Sequence, residues 1–204
     1  MLITDDEALA QKARRFSCLG YAGIGAASGK SKITRKDIQD PAYERHASLG
    51  WNYRMGEPAA AIALAQTERI QDLVERRQQV AALFAKAHQG CSWLTPQVLP
   101  AEGTHAYWTY VLKLEDRPGV SWHGFRDKYV ELGGDGIYSA WMINYLEPVL
   151  RGKTMGKQTF AQGLCPISES LQPRLLQFKT NYMDRRVAEE KAAVLTKTIQ
   201  YFEK

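Results

Sequence analysis

Leu49-Gly50-Trp51-Asn52-Tyr53-Arg54-Met55-Gly56-Glu57-Pro58-Ala59-Ala60-Ala61-Ile62 joins a glycine-punctuated approach to an alanine-rich helix. Pro58 stands where a first-turn proline is tolerated, because the N–H it lacks is one that a helix start leaves unpaired. Beyond it, Ala59, Ile62, Ala63, Ile70, Leu73, Val74, Val80, Ala81 and Phe84 recur near every 3.6 residues. That spacing predicts a helix over residues 57–88, about 45 Å long. Its first turns, 59–65, are apolar nearly all round and predict burial on several sides. Residues 68–86 carry a charged face and predict a surface position. Asn52, Arg54 and Glu57 are polar within an otherwise apolar stretch. The plainest reading is that Asn52 caps a turn and Arg54 pairs with Glu57.

Upstream of that junction, residues 1–3 read as the tail of a strand. Thr4-Asp5-Asp6-Glu7 has the spacing of a capping box, with Thr4 as the N-cap. Leu9, Ala13 and Phe16 then share one helical face, and Gly20 is a natural stop. Residues 20–47 are rich in glycine and lysine and poor in large apolar side chains, which predicts a long loop. Gly20 to Ser31 resembles a phosphate-binding loop only at a glance. That motif needs four residues between its first glycine and the Gly-Lys-Ser, whereas Gly25 leaves three and Gly23 leaves five.

Downstream, Ala106, Trp108, Tyr110, Leu112 and Leu114 alternate, which predicts a half-buried strand with those five on one face. His105-Ala106-Tyr107 opens it. Ser121 can cap a short helix carrying Trp122, Phe125, Tyr129 and Leu132, ended by Gly133-Gly134. Gly136-Ile137-Tyr138 reads as a strand start, and residues 148–173 as irregular. A closing helix is predicted over 184–202, with Val187, Val194, Leu195, Ile199 and Phe202 facing inward. Asp127, Glu131 and Asp135 offer carboxylates, and surface solvation is the simpler account of them. Mixed strands and helices suggest an α/β piece leading into a small α+β domain.

Composition narrows the function classes. The chain has 204 residues, 45% hydrophobic and 24% charged, as an ordinary globular protein does. No apolar run approaches the ~20 residues of a membrane span, and no signal peptide is visible. Cys18, Cys91 and Cys165 are odd in number and far apart, without a CxxC pair, and the histidines sit at no metal-ligand spacing. No metal, no membrane and a reducing cytoplasm are the expectations. The net charge of +5 raises nucleic acid as a partner. The basic residues are spread out, however, and the densest run, Lys30 to Lys36, reads as a solvated loop.

The order of these pieces resembles the DegT/DnrJ/EryC1/StrS family of aminotransferases. It runs from the Ile3-Thr4-Asp5-Asp6-Glu7 start through Arg14, Gly20 and Tyr21 to the Leu-Gly-Trp-Asn-Tyr-Arg-Met-x-Glu turn. Gln66, Glu68-Arg69-Ile70 and Glu75-Arg76-Arg77 follow, then His105-x-Tyr107, Gly136-Ile137-Tyr138, Tyr145-x-x-Pro148 and Cys165-Pro166-x-Ser168-Glu169. The resemblance covers essentially the whole chain, and its Asn-Tyr-Arg-Met turn is the most specific part.

The resemblance implies the C-terminal portion of a fold type I transferase dependent on pyridoxal 5'-phosphate (PLP). Residues 1–56 would be the tail of the large cofactor-binding domain, and 57–204 the connecting helix and small domain. It implies transfer of an amino group from glutamate or glutamine to a keto-sugar, usually nucleotide-linked, or to a keto-cyclitol, by a homodimer. The family's Schiff-base lysine stands in a Ser-x-x-x-x-Lys segment just before the start-like strand, so no catalytic lysine is assigned here. These residues alone are expected to be inactive. Asn52 would reach the PLP phosphate of the neighbouring subunit with Arg54 beside it, and His105, Tyr138 and Tyr145 would line the sugar side. Two alternatives stand beside this reading. One is a relative that replaces the lysine and acts as a dehydratase. The other is a non-enzymatic module binding phosphate or nucleic acid through the basic 20–47 loop.

Overall fold

The computed structural model describes residues 2–21, 42, 46–138 and 140–203. The chain divides into two compact units, Met1–Glu68 and Arg69–Lys204. Most of the glycine-rich and lysine-rich loop, including its Lys30–Lys36 run, lies outside the described residues.

In the first unit, helix α1 spans Glu7–Ser17. Its N-cap is Asp6, whose carboxylate accepts the Leu9 N–H at 3.0 Å, while Thr4 Oγ1 accepts the Asp6 N–H at 3.1 Å. Thr4 therefore stands two residues outside the cap expected of it, and holds the capping residue instead of the helix. Residues 2–3 form no strand among the described residues, since a strand needs a paired neighbour and none lies beside them. Helix α2, Glu57–Glu68, is apolar on every side and exposed along its whole length. The burial its composition predicts is not supplied within the described residues. The predicted 57–88 helix is in fact two, since Arg69 leaves helical geometry at φ −115° and α3 follows at Ile70–Ala87. No proline or glycine marks that break.

The second unit is built on a three-stranded antiparallel sheet. Its order is β1 (Leu94–Pro96), β2 (Thr109–Leu114) and β5 (Leu175–Lys179), with β2 in the middle. Tyr110, Leu112 and Leu114 of β2 point into the core, as do Leu176 and Phe178 of β5. Three helices cover that face: α3, α4 (Trp122–Glu131) and α6 (Arg185–Phe202). α4 starts as its sequence predicts, with Ser121 Oγ accepting the Gly124 N–H at 3.0 Å and Phe125 and Tyr129 buried. α6 is capped by Asp184 and buries Ala188, Ala192, Val194, Leu195, Thr198 and Ile199. Val187, expected inside, stays at the rim. A two-stranded hairpin (β3, Thr154–Met155; β4, Gln158–Thr159) and the short helix α5 (Pro166–Leu171) organise the region read as irregular.

Trp108 departs from the alternation. Tyr107 takes the left-handed region at φ 47°, two residues before the strand begins at Thr109, and Trp108 turns outward, 74% exposed. Tyr107 packs against the core in its place.

His88 sits in that core with its Nε2 2.8 Å from the Tyr110 hydroxyl. Burial lowers its pKa, so the folded protein holds it neutral while the unfolded chain protonates it below its ordinary value of about 6.5. Its contribution is therefore complete above that value and lost as pH falls through the lower folded pKa. Urea midpoints are expected to fall between pH 7 and pH 5. In His88→Gln that fall should be shallower. An unchanged slope in the variant would remove His88 as the cause.

Candidate functional site

Two places in the chain carry polar groups poised to bind something. The first is the turn that follows α1. Residues 51–53 lie against the helix end: the Trp51 N–H donates to Phe16 O (2.6 Å), Tyr53 N–H to Ser17 O (2.9 Å) and Leu19 N–H to Trp51 O (3.0 Å). The approach is close enough that two glycines are required. Gly20 is left-handed at φ +73°, and a β-carbon there would overlap the Ser48 carbonyl oxygen. A β-carbon on Gly50 would meet the backbone of Gly20, Arg15 and Phe16.

This clasp fixes Asn52. Its backbone bridges to Cys18, and its side-chain Oδ1 accepts Arg54 Nε–H at 2.9 Å. Arg54 can only donate, so the amide oxygen must face it and the two Nδ2 hydrogens face away. Arg54 thus pairs with Asn52 and not with Glu57, contrary to the simplest sequence expectation. Asn52 and Arg54 are both exposed, so the pair offers amide and guanidinium N–H groups to an anion. A phosphate ester suits such a donor set.

The second place is in the other unit, around the edge of β5. Tyr138 extends the sheet by one bridge, its N–H donating to Gln177 O at 3.1 Å and its carbonyl oxygen accepting the Gln177 N–H at 2.8 Å. Beside it opens a cavity of about 490 Å³, whose walls include Arg77, Trp108, Tyr138, Trp141, Lys179 and Asn181. The other two sequence candidates do not line it. His105 is half-buried, its Nδ1 accepting the Tyr107 N–H at 2.8 Å and its carbonyl accepting Gln78 Nε2–H at 3.1 Å, so it props the left-handed turn.

Tyr145 donates to Glu169 Oε1 at 2.5 Å and accepts the Cys165 N–H at 3.0 Å. Loss of solvent, and then the bond to Glu169, push its pKa up to about 12, so it is a neutral donor. The same hydroxyl, with the Gly163 N–H, holds the Glu169 carboxyl below the usual range. Tyr145 therefore ties the β4–α5 loop together. Arg77, Trp141 and Lys179 were absent from the sequence candidates. Their positions are far apart along the chain, on α3, after the Tyr138 bridge and at the end of β5, and only the folded unit brings them to one wall.

No group of three or more potential metal ligands gathers among the described residues, and no helix among them is long and apolar enough to cross a membrane.

Comparison with known proteins places these features in a wider set. A family model described as the DegT/DnrJ/EryC1/StrS aminotransferase family matches residues 1–192. The spore coat polysaccharide biosynthesis protein SpsC of Bacillus subtilis is 31% identical over 117 residues, which is 57% of this chain and 28% of SpsC. An aminotransferase from Psychrobacter cryohalolentis superposes with a TM-score of 0.74 at 20% identity, covering 98% of this chain and 51% of that one. The E. coli GDP-4-keto-6-deoxy-D-mannose-3-dehydratase, solved with hydrated PLP, superposes at 0.71 and 15% identity, covering 97% and 49%. The chain thus spans about half the length of these solved structures, and shares its fold with them.

Proposed function

Because the chain belongs to the DegT/DnrJ/EryC1/StrS aminotransferase family, we propose that it serves a PLP-dependent transfer of an amino group from glutamate or glutamine to a keto-sugar. The acceptor is a nucleotide-linked keto-sugar or a keto-cyclitol. The observation that carries this reading is the Asn52–Arg54 pair. Its amide oxygen is committed to Arg54, so its N–H groups are turned outward on a backbone held by α1.

In this reading Asn52 donates to a cofactor phosphate oxygen across a homodimer interface, and Arg54 keeps the amide from flipping. A neutral amide bonds a phosphate oxygen without the desolvation cost of a second buried charge. Bound PLP supplies the electron sink that makes the amino-group transfer possible. Tyr138 faces the sugar from its sheet edge, with His105 and Tyr145 holding the segments on either side of it. We place the protein in the cytoplasm, where PLP and amino-acid donors are at hand.

The test compares these 204 residues alone with the same residues joined to the family's Ser-x-x-x-x-Lys segment. With PLP, the longer protein should develop an absorbance band near the visible edge that borohydride traps, and the shorter one should not. Asn52→Asp in the longer protein should weaken PLP at least about tenfold, because a carboxylate then faces the phosphate. An unchanged PLP affinity in that variant would remove Asn52 from the phosphate site.

A further inference from the structure

We propose that Asp135 is a positioning residue: gripped by Tyr182 and Lys191, it holds residues 136–138 in register on the edge of β5 and so keeps the Tyr138 side chain turned outward. Its bearing on the reaction rests on the proposed placement of Tyr138 toward the sugar. The grip itself rests on the geometry alone.

The segment needs such a grip. Gly133, Gly134 and Gly136 flank Asp135, and glycine has more backbone freedom than any other residue. Beyond them, Tyr138 meets β5 through one isolated bridge of two hydrogen bonds to Gln177. In an extended backbone, neighbouring side chains point to opposite faces. Ile137 lies in the core, 5% exposed, and Tyr138 is 67% exposed. A slip of one residue would exchange the two, turning the tyrosine inward and the isoleucine into water.

Asp135 opposes that slip. Tyr182 donates its hydroxyl hydrogen to Oδ2 at 2.5 Å, and Lys191 Nζ lies 3.4 Å from Oδ1. Both carboxylate oxygens are thus held, one by the residues that follow β5 and the other by α6. The same ammonium donates to Gly133 O at 2.8 Å, which fixes the turn on the far side of Gly134.

The holders are themselves held. Tyr182 is buried, with Lys179 Nζ 4.8 Å over its ring. Loss of solvent, and then the bond to Asp135, raise its pKa, so the hydroxyl keeps the proton it donates. Lys191 stands on the stretch of α6 that buries Ala188 and Ala192, and its carbonyl accepts the Tyr129 hydroxyl at 3.3 Å. Gly134 lies so close to the Tyr129 ring that a β-carbon there would overlap it.

The experiment has two readouts. The first uses the 204-residue chain and needs no substrate. In Asp135→Ala, the Tyr138 and Gln177 amides should exchange about tenfold faster, while amides of β2 exchange as before. Asp135→Asn keeps an acceptor for Tyr182 and should restore most of that protection. Unchanged exchange in Asp135→Ala, or equal acceleration across β2, overturns the proposal. The second readout uses the longer, lysine-bearing protein, with glutamate as donor and a UDP-linked 4-keto-6-deoxyhexose as acceptor. Asp135→Ala should raise the acceptor KM about fivefold at unchanged PLP affinity. Added to Tyr138→Ala it should raise KM no further, because its effect passes through that side chain. Additive losses would make Asp135 a stabilising contact only and overturn the positioning role. If the unsubstituted longer protein aminates neither this acceptor nor a keto-inositol, the proposed reaction fails, and hydrogen exchange alone decides the grip.

Discussion

Phe84→Ala should cost the second unit about 3–5 kcal/mol, the range for deleting a fully buried aromatic ring. Phe84 has no exposed surface. Its ring lies 5.2 Å from Phe178 and 5.9 Å from Tyr110, so it is the piece of α3 that touches both β2 and β5. Removing it leaves a void bounded by a helix and two paired strands, which cannot collapse inward without breaking their register. Total stabilities of about 5–15 kcal/mol make this a large share. Urea unfolding of the full chain, read by tryptophan fluorescence, should show a much lower midpoint. Phe84→Leu, which keeps most of the volume, should lose well under half as much. Equal losses for the two variants would mean that the ring is not tightly packed.

Gly20→Ala is expected to undo the clasp that holds Asn52. The new methyl would need a left-handed backbone and would overlap the Ser48 carbonyl, a rigid atom that cannot rotate away. Segment 48–50 must then shift, and with it the Trp51 and Tyr53 N–H bonds to the end of α1. The combined cost is roughly 2–4 kcal/mol, from the left-handed conformation and the lost bonds. Hydrogen exchange should show the Trp51 and Tyr53 amides opening at least tenfold more readily, while amides of β2 exchange as before. Unchanged protection at those two amides would refute the clasp.

How far the residues announced their own structure varied with the kind of signal. The helices α3, α4 and α6 were legible because each repeats an apolar face over successive turns. The strand β5 was not, since five residues with two inward side chains, Leu176 and Phe178, give no period to detect. The alternation through Trp108 was read as continuous because a single left-handed residue leaves no trace in a list of polarities. Asp6 and Thr4 are both competent caps, and only the backbone at Asp6 chose between them.

The Asn52–Arg54 turn was visible as a motif, but the identity of Arg54's partner was not. Arg54 lies two residues from Asn52 and three from Glu57, and sequence distance does not choose between them. Burial around α2 was read from composition, and composition does not say which neighbour supplies it.

The order β1–β2–β5 has a bearing on synthesis. The middle strand leaves the ribosome about 60 residues ahead of the strand that completes its far side. At about 5–20 residues per second that gap lasts roughly 3–12 s. Through it, Tyr110 and Leu112 have neither Phe178 beside them nor α6 above them. A nascent chain stalled before Leu175 would hold an unfinished apolar sheet in water, a natural client for a chaperone. Cooperative closure must wait for the last thirty residues.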